Sequence, residues 1–523
     1  MQNHLVKFDN AYQEILKELS NHRIYIISEA ELSRKHGRYV RKFFQSKVFP
    51  AIVPVILSKR NKFPDLEEQS IYLAIKMSVK SKSRTARYAL VEVPTDQISR
   101  FLILPNYKKN KYIILLEDVI RYCLKDIFST LQYDTFEAHI IKIIRDAELD
   151  IDNDLSKSMI EKVTKGIIQR EKGQAVRFVF DSSIPEDILK FLLKSMKLDS
   201  KDYQMPGGRY HNFKDFMEFP DIAAKRLDYK PDEPLIHARL KPLHSVMEAV
   251  KKNDLLLHYP YHRFSHFIDL LREAAIDPKV RSIKITAYRL ARDSKVINVL
   301  INAVKNNKDV MVIIELRARF DEKANIALSK KLQDAGVKVG FGVPDLKVHC
   351  KLLLITRKEK GKNVHYAAIG TGNFHEGTAK VYSDLILLTT DSRITNEVNK
   401  VFQTLSDIKI QNTYKHLLVS PFFMRKELIS LIKNETKNAQ LGKPAEIIIK
   451  VNSLVDKSLI KKLYAAGKAG VKIKLITRGI CSLVPGIKGL SENITAISII
   501  DKYLEHSRIF VFHNKGVEII HIS

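Results

Sequence analysis

An internal repeat limits most strongly what this chain can fold into. The first copy reads Ile283-Lys-Ile-Thr-Ala-Tyr-Arg289, then Asp293-Ser-Lys-Val-Ile297, a helical stretch through Ala303, and Val310-Met-Val-Ile-Ile-Glu-Leu-Arg317. The second reads Ile447-Ile-Ile-Lys-Val-Asn-Ser453, then Asp456-Lys-Ser-Leu-Ile460, a helical stretch through Ala466, and Val471-Lys-Ile-Lys-Leu-Ile-Thr-Arg478. Each copy is a strand, an acidic helix cap, a helix, and a strand that ends in arginine, Arg317 in one and Arg478 in the other. Strands alternating with helices of this length specify an α/β layer, and two such units in register specify duplicated domains. A site shared between the copies is expected.

Each copy then offers a histidine. Leu346-Lys-Val-His-Cys-Lys-Leu-Leu-Leu-Ile355 reads as a strand, which places His349 and Lys351 on one face and Cys350 on the other, toward the core. Leu504-Glu-His-Ser-Arg-Ile-Phe-Val-Phe512 does the same for His506 and Arg508. His349 follows Val310 at nearly the same spacing as His506 follows Val471, so the two pairs hold equivalent places in the repeat. After the first comes Ile369-Gly-Thr-Gly-Asn373, a turn of small residues through which backbone N–H groups can approach an anion.

Upstream of the repeat, Leu5, Phe8, Tyr12, Ile15, Leu16 and Leu19 form one stripe of a helix over residues 4–20, without an obvious partner nearby. Residues 21–235 read as an α+β domain. Its strands are expected at 23–28, 71–79, 88–94, 112–116 and 176–180, its helices at 33–49, 116–131 and 185–193, and its loops at Met205–His211 and Asp228–Pro234. No apolar run is long enough for a membrane helix, and the start is too polar for a secretory signal. Three scattered cysteines, Cys123, Cys350 and Cys481, fit a reducing cytosol and exclude a disulfide framework or a structural zinc site. The 88 Lys and Arg exceed the 59 Asp and Glu by a net charge of +29. That excess suits a polyanionic partner, whether nucleic acid, an anionic membrane surface or a phosphate polymer.

The His-x-Lys strand followed by the Gly-Thr-Gly-Asn turn resembles the phospholipase D superfamily, with Thr371 in the place of its serine and Thr356 where it has a downstream aspartate. Longer strings narrow the match: Asp254-Leu-Leu-Leu-His-Tyr-Pro-Tyr261, Tyr288-Arg289, Glu315-Leu-Arg-Ala-Arg-Phe-Asp-Glu322, Gly370-Thr-Gly-Asn-Phe374, Thr378-Ala-Lys-Val-Tyr-Ser-Asp384, Arg478-Gly-Ile-Cys-Ser-Leu483 and Tyr503-Leu-Glu-His-Ser-Arg508 resemble the type 1 polyphosphate kinases. The resemblance implies an α/β chain with residues 1–20 as the remnant of an N-terminal helical domain, an α+β head over 21–235, and two phospholipase D-like domains over 236–416 and 417–523. It implies reversible transfer of the ATP γ-phosphoryl group to inorganic polyphosphate through a phosphohistidine, with magnesium as cofactor. By family position His349 is the nucleophile and His506 a second histidine for nucleotide binding and proton handling. Lys351 neutralises phosphate charge, and Asp384 orients the His349 ring. Tyr382, Arg478 and Arg508 contact the nucleotide. Arg289 and Arg319 stand beside the magnesium-phosphate cluster, whose metal ligands are phosphate oxygens and water. Asp321 can cap the helix that runs on to Ala335.

The resemblance further implies homodimers or tetramers, a cytoplasmic location with peripheral attachment to the inner membrane face, and no specific nucleic-acid partner. The chain departs from the family pattern in three places. It lacks the Glu-Leu-Ser-Trp-Leu-x-Phe-Asn segment of the N-terminal domain. It stops fifteen residues after Arg508, which is expected to leave the second lobe incomplete with an exposed sheet edge. Ala368 stands where some members have histidine. The alternatives are a phosphodiesterase or nuclease using both histidines, or an inactive polyanion-binding remnant.

Overall fold

The computed structural model describes residues 2–58, 62–68, 70–79, 86–145, 159–172, 175–198, 203–223, 226–230, 232–240, 245–289, 294–318, 321–343, 346–407, 409–410 and 412–523. They form two compact units, residues 1–157 with 164–230, and residues 158–163 with 231–523.

The first unit is α+β. A six-stranded sheet runs Val55–Leu57, Arg87–Glu92, Tyr72–Ser78, Thr135–Arg145, Ala175–Asp181, Tyr203–Gly207, antiparallel except for the last, parallel pair. A second sheet of three strands places Ile24–Ile26 parallel to Asn110–Leu115, which pairs antiparallel with Phe101–Tyr107. Arg34–Phe43 and Leu116–Tyr122 pack Val40, Val119 and Ile120 onto Leu73, Ile75 and Val91 to make the larger core. Three strands, Val55–Leu57, Phe101–Tyr107 and Thr135–Arg145, fall where the sequence announces none, and Met205–Gly207 is strand where a loop is expected. Pro206 is tolerated because it sits on an edge strand, where one side of the ladder is open.

The N-terminal helix spans Gln2–Asn21. Its partner comes from the far end of the same unit: Tyr12 is buried and meets Phe213 and Phe216 edge-on at centroid distances of 4.9 and 5.9 Å, while Phe8 meets Phe213 at 4.7 Å.

In the second unit the repeat folds as read and goes further. The first copy lays Val280–Ala287 parallel to Asp309–Ile314, joined by the helix Lys295–Lys305. The second lays Glu446–Val451 parallel to Lys472–Thr477, joined by Lys457–Lys468. In both, the strand after the histidine returns antiparallel to the first repeat strand, Lys351–Glu359 with Ile285 opposite Leu353, and Ile509–Phe512 with Ile449 opposite Phe510. A further antiparallel strand then follows at Lys362–Gly370 and at Ile519–Ile522, and a further parallel one lies beyond the second repeat strand at Lys338–Gly340 and at Ile494–Ile497. Five strands thus share one order and one set of directions. The first sheet extends past Lys362–Gly370 to Tyr382–Thr389 and Leu255–Tyr259, whereas Ile519–Ile522 is an edge strand with Ile520 and Ile522 exposed. Asp456 caps the second helix by accepting from Leu459 N, as expected, whereas Ser294 caps the first by accepting from Val296 N; Asp293 lies outside the described residues.

Candidate active site

The two lobes meet by strand pairing. Leu504–Glu505 adds in parallel to the end of Tyr382–Thr389, with Tyr382 opposite Leu504, and Ser507 N donates to Ser383 O at 3.1 Å. That pairing ends at Glu505, and the next strand starts only at Ile509, so His506 and Arg508 sit in the gap between two short strands, not on one continuous strand. His349 likewise precedes its strand, which begins at Lys351. The cause is Glu315. It is buried, its Oε1 accepts from Arg317 N at 2.8 Å, and its Oε2 accepts from Val348 N at 2.6 Å, so a carboxylate takes the N–H that a ladder partner would otherwise take. Arg317 completes this clasp, Nε on Glu315 at 3.3 Å and the terminal nitrogen on Leu346 O.

His349 is open to solvent on one side, so a ligand can reach it. Its ring stands edge-on to Tyr288 at 4.9 Å. Partial desolvation first, then the positive charges of Lys351, Arg508 and Arg289, hold its pKa well below the usual imidazole range, and its open side lets water soften that effect. At neutral pH it is an uncharged imidazole with a free lone pair. Lys351 is buried, 5% exposed, and its ammonium donates to His349 O and faces the Tyr288 ring at 5.3 Å. Burial first, with Arg508 and Arg289 adding to it, pushes Lys351 down to about 7. Arg289 also faces Tyr288, at 5.7 Å, and pairs through Nε with Asp321 at 2.6 Å. Tyr288 therefore gathers His349, Lys351 and Arg289 on one ring. Its signal in the sequence was only its place before Arg289, and two of its three contacts come from a segment remote in the chain.

Asp384 bonds to His506, not to His349 as the family position implies. Both its oxygens lie on Nδ1 of His506, at 2.9 and 3.0 Å, and Oδ1 also accepts from Thr371 Oγ1 at 2.5 Å. Arg508 donates to Nε2 of His506 at 3.2 Å. Since arginine can only donate, Nε2 is the acceptor and the proton sits on Nδ1, against Asp384. The Gly-Thr-Gly-Asn turn serves this contact: a Cβ on Gly372 would lie 2.1 Å from Asp384 Oδ2, so only glycine lets the carboxylate in. Tyr382 stacks at a tilt on His506, 5.1 Å between centroids. Arg508 is partly desolvated and feels Arg478 as a like charge, both of which lower its pKa. Arg478 is half-buried, and its Nε has no hydrogen-bond partner.

Arg319 lies outside the described residues. Asp321 precedes the helix Glu322–Asp334 without a side-chain cap and pairs with Arg289 instead. Cys350 packs beside the core of Ile313, Val348 and Leu352, and burial pushes its thiol up to about 11. Thr356 bonds to His365 Nδ1 at 3.1 Å, away from the site. Among the described residues no cluster of three or more His, Cys, Asp or Glu is placed to hold a metal ion. Asp384 is engaged by His506 and Thr371, and Asp321 by Arg289.

A neutral imidazole beside the buried Lys351 and the more open Arg289 and Arg508 is suited to taking up a phosphoryl group, because the cations offset the charge on the equatorial oxygens. Comparison with known proteins gives first the class, a phosphotransferase. The polyphosphate kinase middle domain matches residues 35–219, polyphosphate kinase C-terminal domain 1 matches 245–413, and C-terminal domain 2 matches 417–523. The chain belongs to the polyphosphate kinase family. It is 46% identical to the polyphosphate kinase of Vibrio vulnificus over 521 residues, 99% of this chain and 74% of that one. It is 42% identical to that of Escherichia coli over 523 residues, covering 76% of the relative. The crystal structure of polyphosphate kinase from Porphyromonas gingivalis superposes with a TM-score of 0.78 at 34% identity, over 98% of this chain and 78% of that one. The chain thus spans about three quarters of these relatives. None of its described helices is long and apolar enough to cross a membrane.

Proposed function

We propose that this chain carries out the family reaction on His349. The imidazole attacks the γ-phosphorus of ATP, the new N–P bond forms as the bond to the β–γ bridging oxygen breaks, and ADP leaves. In the second step a terminal phosphate oxygen of the polymer attacks the same phosphorus, the N–P bond breaks, and the chain is one phosphate longer. Each displacement is reversible. Lys351, Arg289 and Arg508 neutralise the oxygens in transit, Arg478 holds the nucleotide phosphates, and Tyr382 offers a face to the base. His506, its tautomer set by Asp384, takes up and returns protons at Nε2. Arg319 belongs to the same cationic set by family position. Magnesium, if bound with the nucleotide, would add charge neutralisation at its phosphates, beside which Arg289 and Arg319 would stand. A cytoplasmic location and assembly into dimers or tetramers belong to the same reading.

The observation that carries this proposal is a neutral, accessible His349 beside the buried Lys351. The test is incubation with [γ-³²P]ATP and magnesium. The chain should acquire an acid-labile, alkali-stable label that His349→Ala abolishes, and label persisting in that variant would overturn the assignment.

A further inference from the structure

The head domain holds a second concentration of positive charge, built from its own residues alone. A cavity of about 550 Å³ opens among Arg23, Ile24, Lys109, Lys111, Ala223 and Arg226. It lies at the start of two parallel strands, where Ile24 pairs with Lys111. Its floor is apolar, because Ile24 and Ala223 belong to the small core shared with Phe101 and Ile113. Its rim is cationic: Arg23, Lys109, Lys111 and Arg226 bring four formal charges from three separate chain segments, and among the described residues no acidic side chain lines it. Two of the four are held in place by backbone. Lys111 is half-buried and its ammonium donates to Ile222 O, while Arg226 Nε donates to Ala223 O at 3.2 Å. Among the described residues none of the four makes an ion pair with a carboxylate, although elsewhere in this domain Arg100, Arg121 and Arg209 are all paired. Like charges facing one concavity repel, and an anion in it removes that repulsion.

We infer that this pocket binds an oligophosphate of two or three phosphates. Its volume suits a small anion of that size. The choice of phosphate over other anions rests on the phosphotransfer reading above, whereas the need for an anion rests on the cavity itself. The same chemistry is offered by a nucleoside diphosphate and by the end of an inorganic phosphate chain.

The test uses the full chain carrying His349→Ala and Arg478→Ala, so that anion binding at the proposed active site is weakened, titrated calorimetrically with tripolyphosphate and separately with ADP. Saturable one-site binding is expected, weakened at least tenfold by adding Lys109→Glu and Arg226→Glu and unchanged by Lys362→Glu, a charge reversal on the exposed end of the strand Lys362–Gly370. Lys109→Glu alone, at an exposed position, should weaken it severalfold and guards against a folding defect in the double variant. Tighter binding of tripolyphosphate would identify the inorganic chain as occupant, and tighter binding of ADP the nucleotide. Binding that does not saturate, or that survives both reversals, would overturn the pocket. A wild-type chain that fails to transfer phosphate while this binding persists would overturn the function proposed above and not the pocket.

Discussion

The two lobes share five strands in one order, yet they use equivalent residues differently. In the first, Arg317 at the end of the second repeat strand is tied to Glu315 and to Leu346 O, and the strand beyond His349 is buried on both faces, with Lys351 through Ile355 all inaccessible. In the second, the equivalent Arg478 keeps a buried Nε unpartnered, and Ile509–Phe512, the counterpart of Lys351–Glu359, alternates half-buried and buried residues, with Phe510 and Phe512 on the face packed into the core. The histidines differ in the same sense. Among the described residues His349 stands among cations without a carboxylate, and His506 is clamped by one. Duplication supplied two copies of one frame. In the proposed reaction the first copy is a rigid mount for a nucleophile, and the second keeps its arginine for a ligand.

The sharpest way to break this division is at Asp384. Asp384→Asn preserves size and the Thr371 contact but offers His506 a neutral amide in place of a carboxylate, so the imidazole loses the anion that faces Nδ1. Turnover should fall about 100-fold, the low end of what a positioned acid-base group contributes. Labelling of His349 in a single turnover should persist, since Asp384 does not touch that ring. Equal loss of labelling and turnover would show that Asp384 serves both histidines and that the lobes are not specialised as described.

The arginine pair is the next comparison. Arg478→Gln should raise the KM for ATP by about tenfold, the worth of one charge-assisted hydrogen bond. It should leave stability within about 0.5 kcal/mol, as for an unpaired group. Glu315→Gln should do the reverse. It strands the guanidinium of Arg317, 11% exposed, in the protein without its anion, at a cost of about 3 kcal/mol. Thermal unfolding and ATP saturation curves on both variants decide the matter: a KM effect at Glu315 as large as that at Arg478, without loss of stability, would contradict the structural role.

These contrasts also mark what the sequence could and could not disclose. The repeat, its helices and the place of both histidines were legible because periodicity and spacing are local or recur at fixed offsets. The partner of Asp384 was not, since a contact 122 residues away between unlike segments leaves no pattern in one chain. The first histidine strand starts later than its composition suggests for a similar reason. Leu346 to Cys350 has a strand's composition, but Glu315 takes the Val348 N–H from a distance of 33 residues. The strand Thr135–Arg145 shows no clean alternation although Ile140, Ile141 and Ile143 are buried in it, because charged residues interrupt the pattern.

The smallest predicted effect concerns Lys351. In the free enzyme its pKa is pushed down to about 7, so the ammonium loses its proton as pH rises through that value. Only the charged form can neutralise a phosphoryl oxygen, so kcat/KM should bend downward above about pH 7 by a few-fold per unit. A bound phosphate chain favours the charged form, so the matching bend in kcat should lie at higher pH. Stability carries the opposite sign. Between about 7 and the ordinary lysine value of 10.5 the unfolded chain holds a proton that the folded chain has released, so folding gains as pH rises across that window. Lys351→Arg separates the two cases, because a guanidinium stays charged throughout. It should remove the bend in kcat/KM near 7. A bend that stays in place would mean that another group titrates there and that Lys351 is a packing residue of the first lobe, as Arg317 is.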